Sequence, residues 1–200
     1  MSAWICSFFI LALATQLSSG QDPEPHNPGE HDFIKVDVEV IQLFNPQGLL
    51  GAGGKCDSSG ECDPKLTVYL DTDQPLSAWP GAKAAKDYAP FFKASNQNSP
   101  LIQKNVSVDV CGGSVNKVNL RVHVVDEDML GGGNVIDDFE CVFAADYGRI
   151  ARSVALAEWS PTLDCKPRLQ NNQARLQYRF RLYDIPASDC GIKSETVVRS

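Results

Sequence analysis

Val118-Asn119-Leu120-Arg121-Val122-His123-Val124-Val125-Asp126-Glu127-Asp128 decides the fold of this chain. Apolar side chains stand at every second position from Val118 to Val124, the period of a strand with one face in a core. The run then breaks into Asp126-Glu127-Asp128-Met129-Leu130-Gly131-Gly132-Gly133-Asn134, and Asp137-Asp138-Phe139 opens the next alternation. A second acidic loop, Cys56-Asp57-Ser58-Ser59-Gly60-Glu61-Cys62-Asp63-Pro64, leads likewise into Leu66-Thr67-Val68-Tyr69-Leu70. Each loop puts several carboxylates into a glycine-rich turn at a strand end. Carboxylates so placed repel one another unless a cation sits among them. Calcium takes six to eight oxygen ligands in flexible geometry of this kind, so the loops are either solvated and empty, as in a purely structural domain, or occupied by metal, and the favoured reading is Ca²⁺.

The same period of two extends outward. Val36, Val38 and Val40 alternate with Lys35, Asp37 and Glu39, and Asn45-Pro46-Gln47-Gly48 ends that strand with turn residues. Val106, Val108 and Val110 form another strand, and Gly112-Gly113-Ser114 predicts a hairpin into Val118–Val124. Phe139, Cys141 and Phe143 follow, then a run through Ile150, Val154 and Leu156. Leu176, Tyr178, Phe180 and Leu182 complete the set. Between Pro80 and Pro90 there is room for one helical turn over Ala82–Tyr88. Seven or eight short strands with Gly/Pro turns predict an antiparallel β-sandwich. Trp159 reads as a core residue, and His123, opposite Val122 and Val124, as a surface histidine. Arg175, Arg179 and Arg181 share one face of the last strand, either solvated or turned to acidic lipid, sulfated glycan or protein.

Residues 1–20 read as a secretory signal peptide, with an apolar stretch from Trp4 to Ala14 and small residues at Ser18-Ser19-Gly20. Residues 21–32 read as a flexible Pro/Glu/His leader, in which metal binding by His26 and His31 is the less favoured reading. Residues 33–190 form one domain, and 191–200 a polar tail. No transmembrane anchor is expected. Loss of the signal leaves Cys56, Cys62, Cys111, Cys141, Cys165 and Cys190, an even set that implies disulfides in an exported chain. Cys56 either pairs with Cys62 across the acidic loop or staples a distant part of the fold, since six cysteines allow fifteen pairings. Asn105-Val106-Ser107 is a glycosylation sequon. The net charge of −7 disfavours nucleic acid as a partner. There is no Gly-x-Ser-x-Gly or His-Glu-x-x-His motif, and the chain is not expected to be an enzyme. Met129-Leu130 is placed for membrane contact beside the acidic loop, whereas Leu49-Leu50 would pack beneath its own loop.

The strand–loop order and the acidic loops resemble the C2 domain, an eight-stranded antiparallel β-sandwich that binds membranes with calcium. Asp57 and Asp63, with Asp63-Pro64 opening a strand, resemble that family's first calcium loop. Asp126-Glu127-Asp128 resembles its third, and Asp137-Asp138-Phe139 the start of the following strand. The resemblance implies Asp57, Asp63, Asp126, Asp128 and Asp138 as calcium ligands.

Most of the mature chain is also similar to the amino-terminal C2-type domain of the Delta/Serrate/Jagged Notch ligands. The similarity lies in Leu43-Phe44-Asn45-Pro46-Gln47-Gly48, in Cys62-Asp63, and in Glu158-Trp159-Ser160-Pro161-Thr162-Leu163 followed by Ala174–Arg181. The chain departs from that family in having Tyr69 where a cysteine is usual and only Cys56 in the first loop. It also stops ten residues after Cys190, before any receptor-activating module. What the resemblance implies is a secreted, disulfide-linked module contacting a Notch-type receptor or phospholipid headgroups with calcium, as a soluble modulator of cell-surface signalling. The rival reading is a secreted calcium-dependent glycan-binding or matrix sandwich with no Notch role.

Overall fold

The computed structural model describes residues 31–113, 115–127, 133–145, 149–170 and 173–192, all within one unit of the chain. Among the described residues ten strands run in order: β1 (Phe33–Phe44), β2 (Pro64–Asp71), β3 (Ala89–Lys93), β4 (Leu101–Cys111), β5 (Lys117–Glu127), β6 (Gly133–Ala144), β7 (Ile150–Ala151), β8 (Leu163–Asp164), β9 (Lys166–Pro167) and β10 (Arg175–Asp184). They form two sheets. The first has the order β4-β1-β10-β7 with β8 also on β10, and the second β3-β2-β5-β6-β9. Every pairing is antiparallel except that of β10 with β7. The sandwich expected from the alternation is therefore present. The runs named above do not include β3, β8 and β9, of which β8 and β9 are two-residue pairings too short to leave a periodic signal.

The core is the set of inward rows: Val36 and Val38 on β1, Leu66 on β2, Leu120 and Val122 on β5, Phe139 on β6, and Leu176 on β10, all 0% exposed. Two bulges explain where the period slips. The β1 register shifts between Val40 and Gln42, which lets Leu43 regain the core face after Val40. The β5–β6 register shifts between Val124 and Val125, so that Ile136 and Phe139 both point inward.

Three departures from the sequence reading have physical causes. Strands β4 and β5 are not a hairpin: β4 pairs with β1, and β5 with β2 and β6. The residues between Cys111 and Lys117 span more than the ~10 Å between packed sheets, so Gly112-Gly113 serves as a crossing as readily as a tight turn. Beyond Ile150–Ala151 the expected strand gives way to a 3-10 turn at Val154–Leu156. The order of the chain also begins before Phe33, because His31 is 6% exposed and its Nδ1 lies 2.5 Å from Asp184 Oδ1.

The six cysteines among the described residues are all bridged, as Cys56–Cys62, Cys111–Cys190 and Cys141–Cys165. The first closes the acidic loop on itself. The second ties the end of β4 to the chain after β10, and the third holds the β8–β9 connection against β6. The signal peptide (1–20) and all but the first two residues of the tail (191–200) lie outside the described residues. Among the described residues no helix is long and apolar enough to cross a membrane.

Candidate functional site

One end of the sandwich gathers the end of β1, the start of β2, the β3–β4 connection and the end of β5. Asn45, 1% exposed, organises the first turn: its Nδ2 donates to Leu49 O (2.9 Å) and its Oδ1 accepts from Leu49 N (3.1 Å). Gly48 closes it with φ +61°, and a Cβ there would stand 2.8 Å from Asn98 Oδ1, so glycine is required by both backbone and space. Cys56 N then donates to Gly48 O at 2.8 Å, and the Cys56–Cys62 bridge closes the acidic loop above this turn.

The acidic loop is stitched to its neighbours by amides. Cys62 N donates to Asn98 Oδ1 (2.9 Å), Glu61 N to Asn96 Oδ1 (3.0 Å), and Asn98 N to Glu61 Oε2 (3.1 Å). Asn96 N donates to Asp63 Oδ1 at 2.6 Å, and Asp63 N to Asp126 Oδ1 at 2.6 Å. The β2–β5 register puts Pro64 opposite Asp126, which is why the Asp63 backbone amide meets the Asp126 carboxylate from 63 residues away in sequence. Asp57 is half-buried and lines a cavity of about 370 Å³ with Pro46, Gln47, Lys55 and Asn98. It has no hydrogen bond or ion pair among the described residues.

The other acidic residues are engaged elsewhere. Glu127 accepts from Lys65 Nζ (3.0 Å) and is paired with Lys93, and these hydrogen bonds, Lys93's first, hold its carboxyl below the usual range. Asp138 is not brought to the loops: the β5–β6 register sets it opposite His123, whose Nδ1 lies 2.6 Å from its Oδ1. That pair sits about 10 Å along the strand from Asp126, three residues at the usual rise. The residue opposite Asp126 is Asn134. Asp137, fully buried at the bulge, accepts backbone N–H bonds from Asp138, Arg168, Leu169 and Gln170. Burial still pushes its carboxyl up, against the opposing effect of those amides. Asp128, Met129 and Leu130 lie outside the described residues.

The donor chemistry available to a cation at this end is carboxylate and amide oxygen, which suits a hard ion. Cys56, Cys62 and Asp126 do place ligand atoms within 4.8 Å of one another. Those sulfurs are bonded to each other, however, and a disulfide offers no thiolate. Among the described residues, Asp57, Asp63 and Asp126 do not form a similarly tight group, so the oxygen set fits calcium in kind without being gathered around one point.

Two features escaped the sequence reading. Trp159 is half-buried on the outer face of the first sheet, not in the core. The guanidinium groups of Arg179 (4.9 Å) and Arg181 (4.6 Å) both lie over its ring. Arg181 also reaches Asp37 Oδ2 at 3.0 Å and Arg179 pairs with Glu39, so two of the three arginines are already spent on carboxylates. Arg175 covers the Phe44 ring at 4.9 Å. The other feature is Arg121, 0% exposed, which donates to Asp71 (3.1 Å), Glu140 (2.9 Å) and Ser77 O (2.9 Å), gathering the 72–81 connection over the second sheet. The signal that would have marked it is the long Pro/Ser-rich connection after Asp71, which needs an anchor.

No family model matches the sequence, and no curated protein sequence does. Among solved structures, a C2 domain protein from Ramazzottius varieornatus is similar at 30% identity over 82% of this chain and 96% of that one, with a TM-score of 0.73. Lesser likenesses are to a C2 domain of plant Extended Synaptotagmin 1 (15% identity, 78% and 98% covered, TM-score 0.48) and to Drosophila C2-DSL-EGF1 (12% identity, 75% and 67% covered, TM-score 0.42). With the identity and coverage of the first, and with a two-sheet sandwich bearing acidic loops at one end, this chain belongs to the C2 domain family.

Proposed function

We propose that this C2 domain is a secreted, non-enzymatic binding module that uses its loop end to engage a cell surface with calcium. The observation that carries the reading is the 2.6 Å hydrogen bond from the Asp63 backbone amide to Asp126 Oδ1, which fixes β2 and β5 together at the end where the disulfide-closed loop carries Asp57. Asp57, Asp63 and Asp126, with Asp128 following in sequence, would hold the ion. Its chemistry would be to bridge these carboxylates to anionic headgroups or to a partner's acidic groups. Three disulfides are consistent with an oxidising compartment outside the cytosol. Contact with a Notch-type receptor, and modulation of its signalling, is supported by the sequence likeness in Leu43–Gly48 and Glu158–Arg181.

The test is thermal unfolding of the oxidised mature chain in chelator, in calcium and in magnesium. At ten times Kd, linkage gives about 1.4 kcal/mol of stabilisation, roughly 3–6 °C for a domain of this size. The expected result is such a shift with calcium alone, reduced in Asp126→Asn, which keeps an oxygen for the Asp63 amide. No shift would sink the calcium part of the reading. Calcium-dependent sedimentation with phosphatidylserine vesicles, and capture by a Notch receptor fragment, then separate the lipid and receptor arms. Capture by glycans alone would favour the matrix reading instead.

A further inference from the structure

We propose that Asn105 carries an N-linked glycan and that this glycan caps the open edge of the first sheet. The inference rests on export of the chain but not on calcium. Strand β4 stands at the end of the β4-β1-β10-β7 order, and among the described residues no strand pairs with its outer side. An antiparallel edge strand turns alternate N–H and C=O groups outward, a template for another chain. Here the template is long. The pairing with β1 is regular from Lys104, opposite Val40, to Cys111, opposite Phe33, and the β-branched Val106, Val108 and Val110 lie along it.

Proteins blunt such edges with free charge, proline or a bulge, and this edge has spent or misplaced each. Lys104 is turned back to donate to Phe91 O at 2.7 Å. Asp109 is paired with Lys35 at 3.2 Å. The bulge, with Gln103 at φ +46°, lies before the regular stretch, and β4 contains no proline. What remains is Asn105-Val106-Ser107, the one Asn-x-Ser/Thr sequon in the sequence. Asn105 is exposed, and its side chain has no hydrogen bond among the described residues.

Its place also fits the loop-end reading. Asn105 lies opposite Glu39 on β1, about 20 Å along the strand from the turn at Asn45. A glycan rooted there covers the edge and the neighbouring outer face of the first sheet and leaves the acidic end clear.

The test is secretion of the full chain from eukaryotic cells, with intact mass before and after peptide-N-glycosidase treatment. The expected outcome is one N-glycan, converted on release to Asp at position 105 and absent in Asn105→Gln. In sedimentation over rising concentration the glycosylated chain stays monomeric, Asn105→Gln self-associates, and Asn105→Lys, equally unglycosylated but charged at the edge, stays monomeric. Secreted chain with unmodified Asn105 overturns the site. Monomeric Asn105→Gln, or association of both variants alike, overturns the capping role. Chain confined to the cytosol overturns export itself and the glycan with it, an outcome distinct from secretion without modification.

Discussion

Arg121 and the acidic loop end hold the same kind of group in opposite electrostatic settings. On the second sheet, Asp71 and Glu140 converge on a guanidinium with no solvent exposure, and carbonyls of the 72–81 connection take up its remaining donors. Gly81, at φ +84°, fits against it, and a Cβ there would stand 2.6 Å from Arg121 Nε. At the loop end, neither Asp57 nor Asp63 has an ion-pair partner among the described residues, and it is amides and a disulfide that bring the loops together. The first arrangement carries its own cation and is finished by folding. The second holds unneutralised carboxylate in place, which costs stability unless something positive arrives. A closed ion cluster is thus a structural element, whereas an open one is suited to binding.

The sharpest break in this contrast comes from removing the internal cation. Arg121→Met is expected to cost about 3–5 kcal/mol in guanidinium unfolding, because it strands buried Asp71 and neighbouring carbonyls without a partner. Asp71→Asn should lower stability in the same direction. Asp57→Asn at the loop end should leave stability within about 0.5 kcal/mol in chelator, or raise it, since it removes an unpaired charge. Loss of stability in both Asp variants would erase the distinction.

Next in size is the Cys56–Cys62 bridge. Replacing both cysteines by serine should cost about 2 kcal/mol, the entropy of so short a loop. Any calcium-induced thermal shift should shrink with it, because the loop that carries Asp57 would no longer be closed onto the start of β2. An unchanged calcium shift would mean that the bridge serves stability alone.

The smallest effects are titrations that separate the two regions by pH. Glu127 is held below its ordinary range by Lys93 and Lys65, so its contribution is full above pH 4.5 and lost as pH falls through the depressed value. Tyr88, whose hydroxyl donates to Pro80 O at 2.5 Å beside the Arg121 cluster, is pushed up to about 12, chiefly by burial. Its contribution is full below pH 10 and lost as pH rises through 12. Stability profiles should therefore flatten on the acid side in Glu127→Gln and on the alkaline side in Tyr88→Phe. Changes on the opposite sides would break the assignment.

Much of this was legible in the sequence because alternation is a local signal. Val36–Val40, Leu66–Leu70, Val118–Val124 and Leu176–Leu182 each name their buried face without reference to any neighbour. The acidic loops were legible because carboxylates beside glycines at strand ends are a matter of composition. Register was not. Asp138 belongs to His123 and Asn134 stands opposite Asp126 because β6 gains one residue at its bulge, a shift invisible in a run such as Val135-Ile136-Asp137-Asp138. Trp159 looked like core because tryptophan is large and apolar, yet two guanidinium groups offer its ring enough contact on an outer face.

By itself the sequence determined the strands, the two-layer sandwich, the acidic end and the supply of cysteines, since each follows from periodicity or residue chemistry within a few neighbours. Only the tertiary structure decided that β4 crosses to the other sheet and forms an edge. It likewise decided which cysteines bond, which carboxylates meet and which are neutralised internally. Those outcomes depend on contacts between residues tens of positions apart, whose register is set by bulges and by the fit of whole faces, not by any local pattern.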